Sequence, residues 1–146
     1  MTIFIGADHR GFELKNKIVE YLQDKNIRVE DLGALQYEKA DDASDFAFKV
    51  AQVVLQNPDY LGIVICGSGA AVNIAANRVK GVRCGIGFNA DQVHHMKAWD
   101  HMNVLAIGAD YFDLEKAKPL IDVFLETPYG TEERMLRRVK KLDEPV

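Results

Sequence analysis

The sequence predicts an α/β protein: a doubly wound, parallel five-stranded sheet in a Rossmann-like three-layer α/β/α sandwich. Three observations predict it. Short apolar runs alternate with longer amphipathic ones along the whole chain, the pattern of βαβ units. The run Leu61–Cys66 is apolar throughout, as a strand covered on both faces must be. Turn residues then end the strand-like runs, as in Asp8-His9-Arg10-Gly11 and Gly67-Ser68-Gly69. Right-handed crossovers put helices on both faces.

Ile3–Ala7 reads as a buried strand. Phe12, Leu14, Ile18, Val19 and Leu22 recur at helical spacing, which predicts a helix over about 11–24. Ile27–Leu32 is a second strand and 34–42 a loop. Phe46, Val50, Val53 and Val54, with alanines between them, make a second helix. After the strand Leu61–Cys66 comes a helix over about 70–78. Val82–Ile86 and Asn103–Ile107 are strands four and five, with a helix over about 90–98 between them. A helix near 114–126 contains Pro119, which predicts a kink or a later start. Thr131 is the expected N-cap of a last helix, about 131–142, with Glu132 and Glu133 in its first turn.

A length of 146 residues without repeat or linker fits one domain spanning 1–146. The chain has 18 Lys and Arg against 22 Asp and Glu, and no basic block, so nucleic acid is not its expected partner. An anion must therefore be held by a few placed groups. The nearly apolar run Tyr60–Cys66 is far too short to span a membrane. The start Met1-Thr2-Ile3-Phe4-Ile5 lacks the parts of a signal peptide. Two cysteines in an acidic chain of this kind suit a reducing cytoplasm, although a disulfide between Cys66 and Cys84 stays open.

The strongest chemical signal is Ile65-Cys66-Gly67-Ser68-Gly69-Ala70-Ala71-Val72-Asn73. It puts a thiol at a strand end and a glycine-rich turn at a helix N-terminus, where free N–H groups favour negative charge. A thiolate beside such a loop suits proton abstraction next to a carbonyl. The same pattern also fits a buried structural cysteine before a tight turn. Asp8-His9 closes strand one, where a carboxylate and an imidazole suit sugar hydroxyls or phosphate. The pair also reads as a helix cap and a solvated turn residue. Arg134 and Arg138 share one helical face, which suits phosphate or a solvated stripe paired with Glu132 and Glu133. His94, His95 and His101 do not have the spacing of a metal cluster. No dinucleotide or P-loop motif occurs.

Taken together, Gly6-Ala7-Asp8-His9-Arg10-Gly11-Phe12-Glu13-Leu14-Lys15, Ile65-Cys66-Gly67-Ser68-Gly69, Ile74-Ala75-Ala76-Asn77-Arg78, Gly81-Val82-Arg83 and Asn103-Val104-Leu105 resemble the type B ribose-5-phosphate isomerases. That family includes the galactose-6-phosphate isomerase subunits. The resemblance runs the length of the chain, through Arg134 and Arg138-Val139. It implies aldose–ketose isomerisation of a sugar phosphate, by default ribose 5-phosphate to ribulose 5-phosphate, without metal or cofactor. By resemblance, Cys66 is the base that moves a proton between C1 and C2 through an enediolate, and Ser68 is its hydroxyl partner. The amides of Gly67, Gly69, Ala70 and Ala71 hold the enediolate, with Asn73 nearby. Asp8 and His9 contact the sugar and its phosphate end. Trp99, Asp100, Arg134 and Arg138 complete the site, the arginines from a neighbouring subunit of a homodimer or tetramer.

Four positions depart from the family. His-Asn-Asp before the Asn-Val-Leu strand is here Trp99-Asp100-His101, so the ring-opening histidine is replaced by Trp99, and His101 is the candidate substitute. Asp-Tyr-Pro is Asp42-Ala43-Ser44. A glycine is Ala71, and an arginine after strand five is Asp110. The four changes predict an altered substrate or a weakened activity; the loss of the ring-opening histidine and the bulk of Trp99 predict a preference for shorter or open-chain substrates, such as a tetrose phosphate that cannot form a furanose. A hexose 6-phosphate, or binding of a sugar phosphate without catalysis, is the alternative.

Overall fold

The structure is a computed structural model and describes residues 1–146. The five apolar runs form β1 (Thr2–Ala7), β2 (Val29–Asp31), β3 (Tyr60–Cys66), β4 (Cys84–Ile86) and β5 (Val104–Gly108). The amphipathic runs form α1 (Phe12–Asp24), α2 (Ala43–Val54), α3 (Ala70–Asn77), α4 (Ala90–Asp100), α5 (Leu114–Glu126) and α6 (Glu133–Asp143). All strands are parallel, in the order β2-β1-β3-β5-β4. The chain winds one way from β1 to β2 and the other way from β3, so the sheet's switch point lies between β1 and β3.

Two cores follow from the alternation of side chains across the sheet. Ile3, Ile5, Ile63, Ile65, Leu105 and Ile107 face α1, α4 and α5. Phe4, Val64, Cys66, Val104 and Ala106 face α2 and α3. Cys66 is thus both the last residue of a central strand and part of a core, 4% exposed. α6 lies outside these layers on α4, burying Met135 and Val139.

The second strand, expected over Ile27–Leu32, is confined to Val29–Asp31. Three further expectations need correction. Thr131 is not the cap of α6: Glu132 occupies that position without a side-chain capping bond, and Thr131 lies outside the helix. α5 does not start late. It begins at Leu114, capped by the Asp113 side chain on Lys116 N at 2.9 Å, and continues through Pro119. The carbonyl that Pro119 leaves without a donor belongs to Glu115 on the exposed first turn, where water can satisfy it. β4 begins at Cys84, not Val82, because Arg83 pairs with Asn103 instead, its N–H donating to Asn103 Oδ1 at 2.8 Å. The free edge of β4 is covered by Asn77, whose amide accepts from Cys84 N (2.8 Å) and donates to Cys84 O (2.9 Å). That contact imitates a neighbouring strand and blunts an exposed edge.

Helices of parallel units run back against the strands, so α4 ends at the edge of the sheet where the strands begin. There Gly62 N, near the start of β3, donates to Asn103 O at 2.9 Å. Lys97 on the last turn of α4 is buried, with its ammonium 4.7 Å from the Phe124 ring centre and 4.4 Å from that of Tyr129. The rings replace some of the lost hydration. Burial still lowers its pKa from 10.5 to about 8. Below both values the protein bears the full cost of burying a charge. Between about pH 8 and 10.5 the unfolded chain holds more protons, so this contribution to stability rises with pH. The stability of the wild type relative to Lys97→Met is therefore expected to climb across that window by on the order of 1–3 kcal/mol in urea unfolding. A difference that is flat with pH would contradict the assignment.

Candidate active site

At the carboxyl ends of the strands, three turns meet. Register aligns Ala7 with Ile65 and Cys66 with Gly108, so the exits of β1, β3 and β5 lie side by side. Ala109 N donates to Cys66 O and Asp110 N to Gly67 O, each at 2.9 Å, which ties the last two exits together. The fit needs glycine twice. Gly69 takes φ +81°, and a side chain there would meet Gly108 N at 3.1 Å. A Cβ on Gly108 would stand 2.6 Å from Ser68 O.

This packing turns backbone amides outward. Gly69 N donates to Cys66 Sγ at 3.2 Å, and Ala70 N to Ser68 Oγ at 3.1 Å. The amides of Gly67, Ser68 and Ala71 have no acceptor within the chain. Val72 N is likewise without an acceptor, and these free donors around the head of α3, close to a thiol, are of the kind that favour an anion. Asn73 lies one turn along α3, within 3.4 Å of Asn77 Nδ2. Both cysteines are free thiols. Burial raises the pKa of the Cys84 thiol, far from this mouth on β4, so it stays protonated and inert.

Asp8 is buried and caps its own turn, with Oδ1 accepting from Arg10 N (3.0 Å) and Gly11 N (3.1 Å). His9 is not a solvated turn residue. Its backbone N–H (2.9 Å) and its ring Nδ1 (2.8 Å) both meet Asp41 Oδ1. A carboxylate only accepts, so Nδ1 carries the hydrogen and Nε2 is the nitrogen left for a ligand. Asp41 Oδ2 is buried without a partner. Asp8, His9 and Asp41 each offer a ligand atom within 4.8 Å of the others. Asp8 Oδ1 is already engaged by the Arg10 and Gly11 amides, and Asp41 Oδ1 and His9 Nδ1 by each other, so we assign no ion there.

The remaining expected residues lie elsewhere in the chain. Trp99, Asp100 and His101 end α4, at the opposite edge of the sheet. The seven residues of β3 separate the two edges by roughly 20 Å. His101 takes a left-handed φ of +51° as the cap of α4, stacks 4.6 Å from the Tyr129 ring and engages Gly130 O through Nε2 at 2.8 Å. Arg134 lies 4.9 Å above the Trp99 ring, with Nε on Glu132 at 2.9 Å. Arg138 is exposed on the same face of α6. The expected site residues therefore fall into two groups at opposite edges of the sheet. Neither Cys66 nor Ser68 lines any of its five main clefts.

Two residues escaped the sequence reading. Asp41 lies in an irregular loop, and nothing local marks its contact with His9. Arg10 was visible inside the Asp8–Gly11 turn, but its partner Asp110 is far along the chain, and Nη2 meets both Asp110 oxygens at 2.6 Å.

In open parallel sheets of this kind, small ligands bind at the carboxyl ends of the strands near the switch point, where these turns meet. Residues 3–142 match the family described as Ribose/Galactose Isomerase, and the chain belongs to that family. It is 34% identical over 144 residues to ribose-5-phosphate isomerase B of Mycobacterium tuberculosis, covering 99% of this chain and 89% of the relative. Among solved structures it resembles a ribose 5-phosphate isomerase of Thermotoga maritima (TM-score 0.93, 38% identity, 99% and 98% coverage). It also resembles ribose-5-phosphate isomerase B of Mycoplasma genitalium with bound ribulose-5-phosphate (TM-score 0.91, 37% identity, 97% and 93% coverage). No helix is long and apolar enough to cross a membrane.

Histidine ¹⁵N NMR tests the Asp41 contact. In the wild type, His9 is expected as the Nδ1–H tautomer. In Asp41→Ala nothing fixes that proton, and the two tautomers mix. An unchanged spectrum would show that Asp41 does not orient the ring.

Proposed function

We propose that this protein interconverts an aldose phosphate and its ketose through a cis-enediolate, with ribose 5-phosphate and ribulose 5-phosphate as the default pair. The observation that carries the reading is the thiol of Cys66 beside three amides without acceptors. Cys66, as the thiolate held by the Gly69 N–H, takes the proton from C2 of the open-chain aldose on Sγ. The electrons of the broken C–H bond form a C1–C2 double bond, and the carbonyl oxygen gains negative charge. The amides of Gly67, Ser68 and Ala71 stabilise that charge where it develops. Ser68 Oγ passes the hydroxyl proton between O2 and O1, and Cys66 returns its proton to C1. Atoms and electrons balance without an external oxidant. His9, held by Asp41, and Asp8 engage the sugar and its phosphate end.

A second copy of the chain completes the site. Its support is the separation of the half-sites: an amide-lined mouth at one edge, and Trp99, Asp100, His101, Arg134 and Arg138 at the other. A two-fold axis brings the second set of one protomer to the first set of its partner. Arg134, platformed on Trp99, and Arg138 then bind the phosphate in a homodimer. His101, the candidate for ring opening, belongs to this second set. Trp99 favours a substrate that is open-chain or shorter, such as erythrose 4-phosphate.

Proton NMR in D₂O with ribose 5-phosphate and with erythrose 4-phosphate tests the reaction. Product with deuterium at the exchanging carbon is expected. Cys66→Ala should lower turnover by about 10²–10⁴-fold, the usual loss for a general base. Retained exchange in that variant would remove Cys66 as the base, and no product from either sugar would remove the substrate class. Mixing tests the shared site. Cys66→Ala and Arg134→Ala proteins, each weak alone, should recover activity after subunit exchange, because hybrids contain one intact site. No recovery, with exchange confirmed by mass spectrometry, would place both residues in the same protomer's site.

A further inference from the structure

We infer that Lys97 is a covalent binding site for small aldehydes, which reach its side-chain amine through a cleft at the edge of the sheet where the strands begin. Lys97 lies at the opposite edge from Cys66 and has no role in the reaction proposed above.

Two lysines are buried, Lys15 and Lys97, and they differ in their partners. Lys15 Nζ donates to Asp31 and Asn16, so its charge is held by a carboxylate. Lys97, 4% exposed, has neither a hydrogen-bond acceptor nor a carboxylate beside it. The charged group that acts on it is a second cation, Arg83. The rings of Phe124 and Tyr129 cover the amine instead. Asp41 Oδ2 is the one side-chain polar atom that is both sealed from solvent and without a partner. Lys97 Nζ also lacks a partner, so it is not sealed.

Its opening is a cleft of about 190 Å³ that Lys97 lines. Pro58 and Leu61, around the start of β3, and Leu125 and Pro128, around the end of α5, make the walls apolar. The space suits a few heavy atoms and is smaller than the usual site of a larger ligand.

An amine desolvated in an apolar pocket, or set beside another cation, gives up its proton readily and forms Schiff bases with carbonyl compounds. Lys97 meets both conditions. Burial, with Arg83 second, brings its pKa down to about 8. Near neutral pH it therefore offers a lone pair far more often than a lysine at the ordinary value of about 10.4. The Nζ lone pair attacks the aldehyde carbon, and the π electrons of the carbonyl move to oxygen, which takes up the proton that nitrogen loses. The carbinolamine then expels its hydroxyl as water and leaves a C=N bond. The condensation needs no oxidant or reductant. A short aldehyde with a free carbonyl fits this cleft, and a cyclised sugar does not.

Propanal with cyanoborohydride, followed by peptide mapping of the wild-type protein, reads the reaction at each lysine, because reduction fixes the imine as a secondary amine. At about pH 7.5, Lys97 is expected to be labelled at least about tenfold faster than the exposed Lys39, Lys49 and Lys80. Its rate should level off above about pH 8, where ordinary lysines still gain reactivity. Buried but paired Lys15 should stay nearly unlabelled. A rate at Lys97 no greater than at the exposed lysines would overturn the proposal, as would one that climbs with theirs to about pH 10. Equal labelling of Lys15 and Lys97, rising together in dilute urea, would show that the aldehyde enters only through unfolding and would overturn it as well.

Discussion

The chemistry of this fold depends on one close approach of backbone to backbone, where the exit of β3 packs on the exit of β5. Gly69 and Gly108 leave no room for a Cβ between them. The Ala109 and Asp110 amides hold the carbonyls of Cys66 and Gly67 inward. With those carbonyls used up, the amides of Gly67, Ser68 and Ala71 face outward without partners. Buried or half-buried donors of this kind are costly unless a ligand or water satisfies them. The sheet thus fixes the concavity in advance, and an anion that enters needs little reorganisation of the protein. Cys66 owes its position to the same contact. As the last residue of a strand covered on both faces, its side chain has a core on one side and the mouth on the other.

The division of the site follows from topology. In a parallel sheet each crossover helix carries the chain back to the edge where the strands begin. α4 must therefore deliver Trp99, Asp100 and His101 roughly a strand's length away from Cys66. α6, packed on α4, stays at that same edge. No local rearrangement within a chain can bring the two groups of residues together without breaking the buried central strands β1, β3 or β5.

Much of this was legible in the sequence. Long periodic segments gave α1 and α5 to within a residue or two and the place of α2, and the unbroken apolar run gave β3. What misled were termini decided by side chains distant in sequence. Asn103 draws Arg83 away from the ladder and shortens β4. The cap of α6 falls at Glu132 because Met135 must turn inward to pack beside Gly130 and Ala98. The site's first half was readable because it lies in two contiguous motifs. Asp41 and the Arg10–Asp110 pair were not, because each is a contact between turns that the sheet brings together and no local pattern encodes.

That last pair bears on how the mouth selects its ligand. The resemblance expected a cation after β5, and the chain has Asp110 there. A lone carboxylate beside an anion-binding loop would repel phosphate. It does not stand alone: Arg10 meets it from the opposite turn, and the ion pair holds the guanidinium charged. The exchange of sign at one rim is thus answered at the other, with the positive group displaced from the β5 exit to the β1 exit. Trp99, in turn, lies under Arg134, 4.9 Å from its guanidinium, so both departures from the family leave an arginine held by a neighbour within the same chain: Arg10 by the Asp110 carboxylate and Arg134 by an aromatic face.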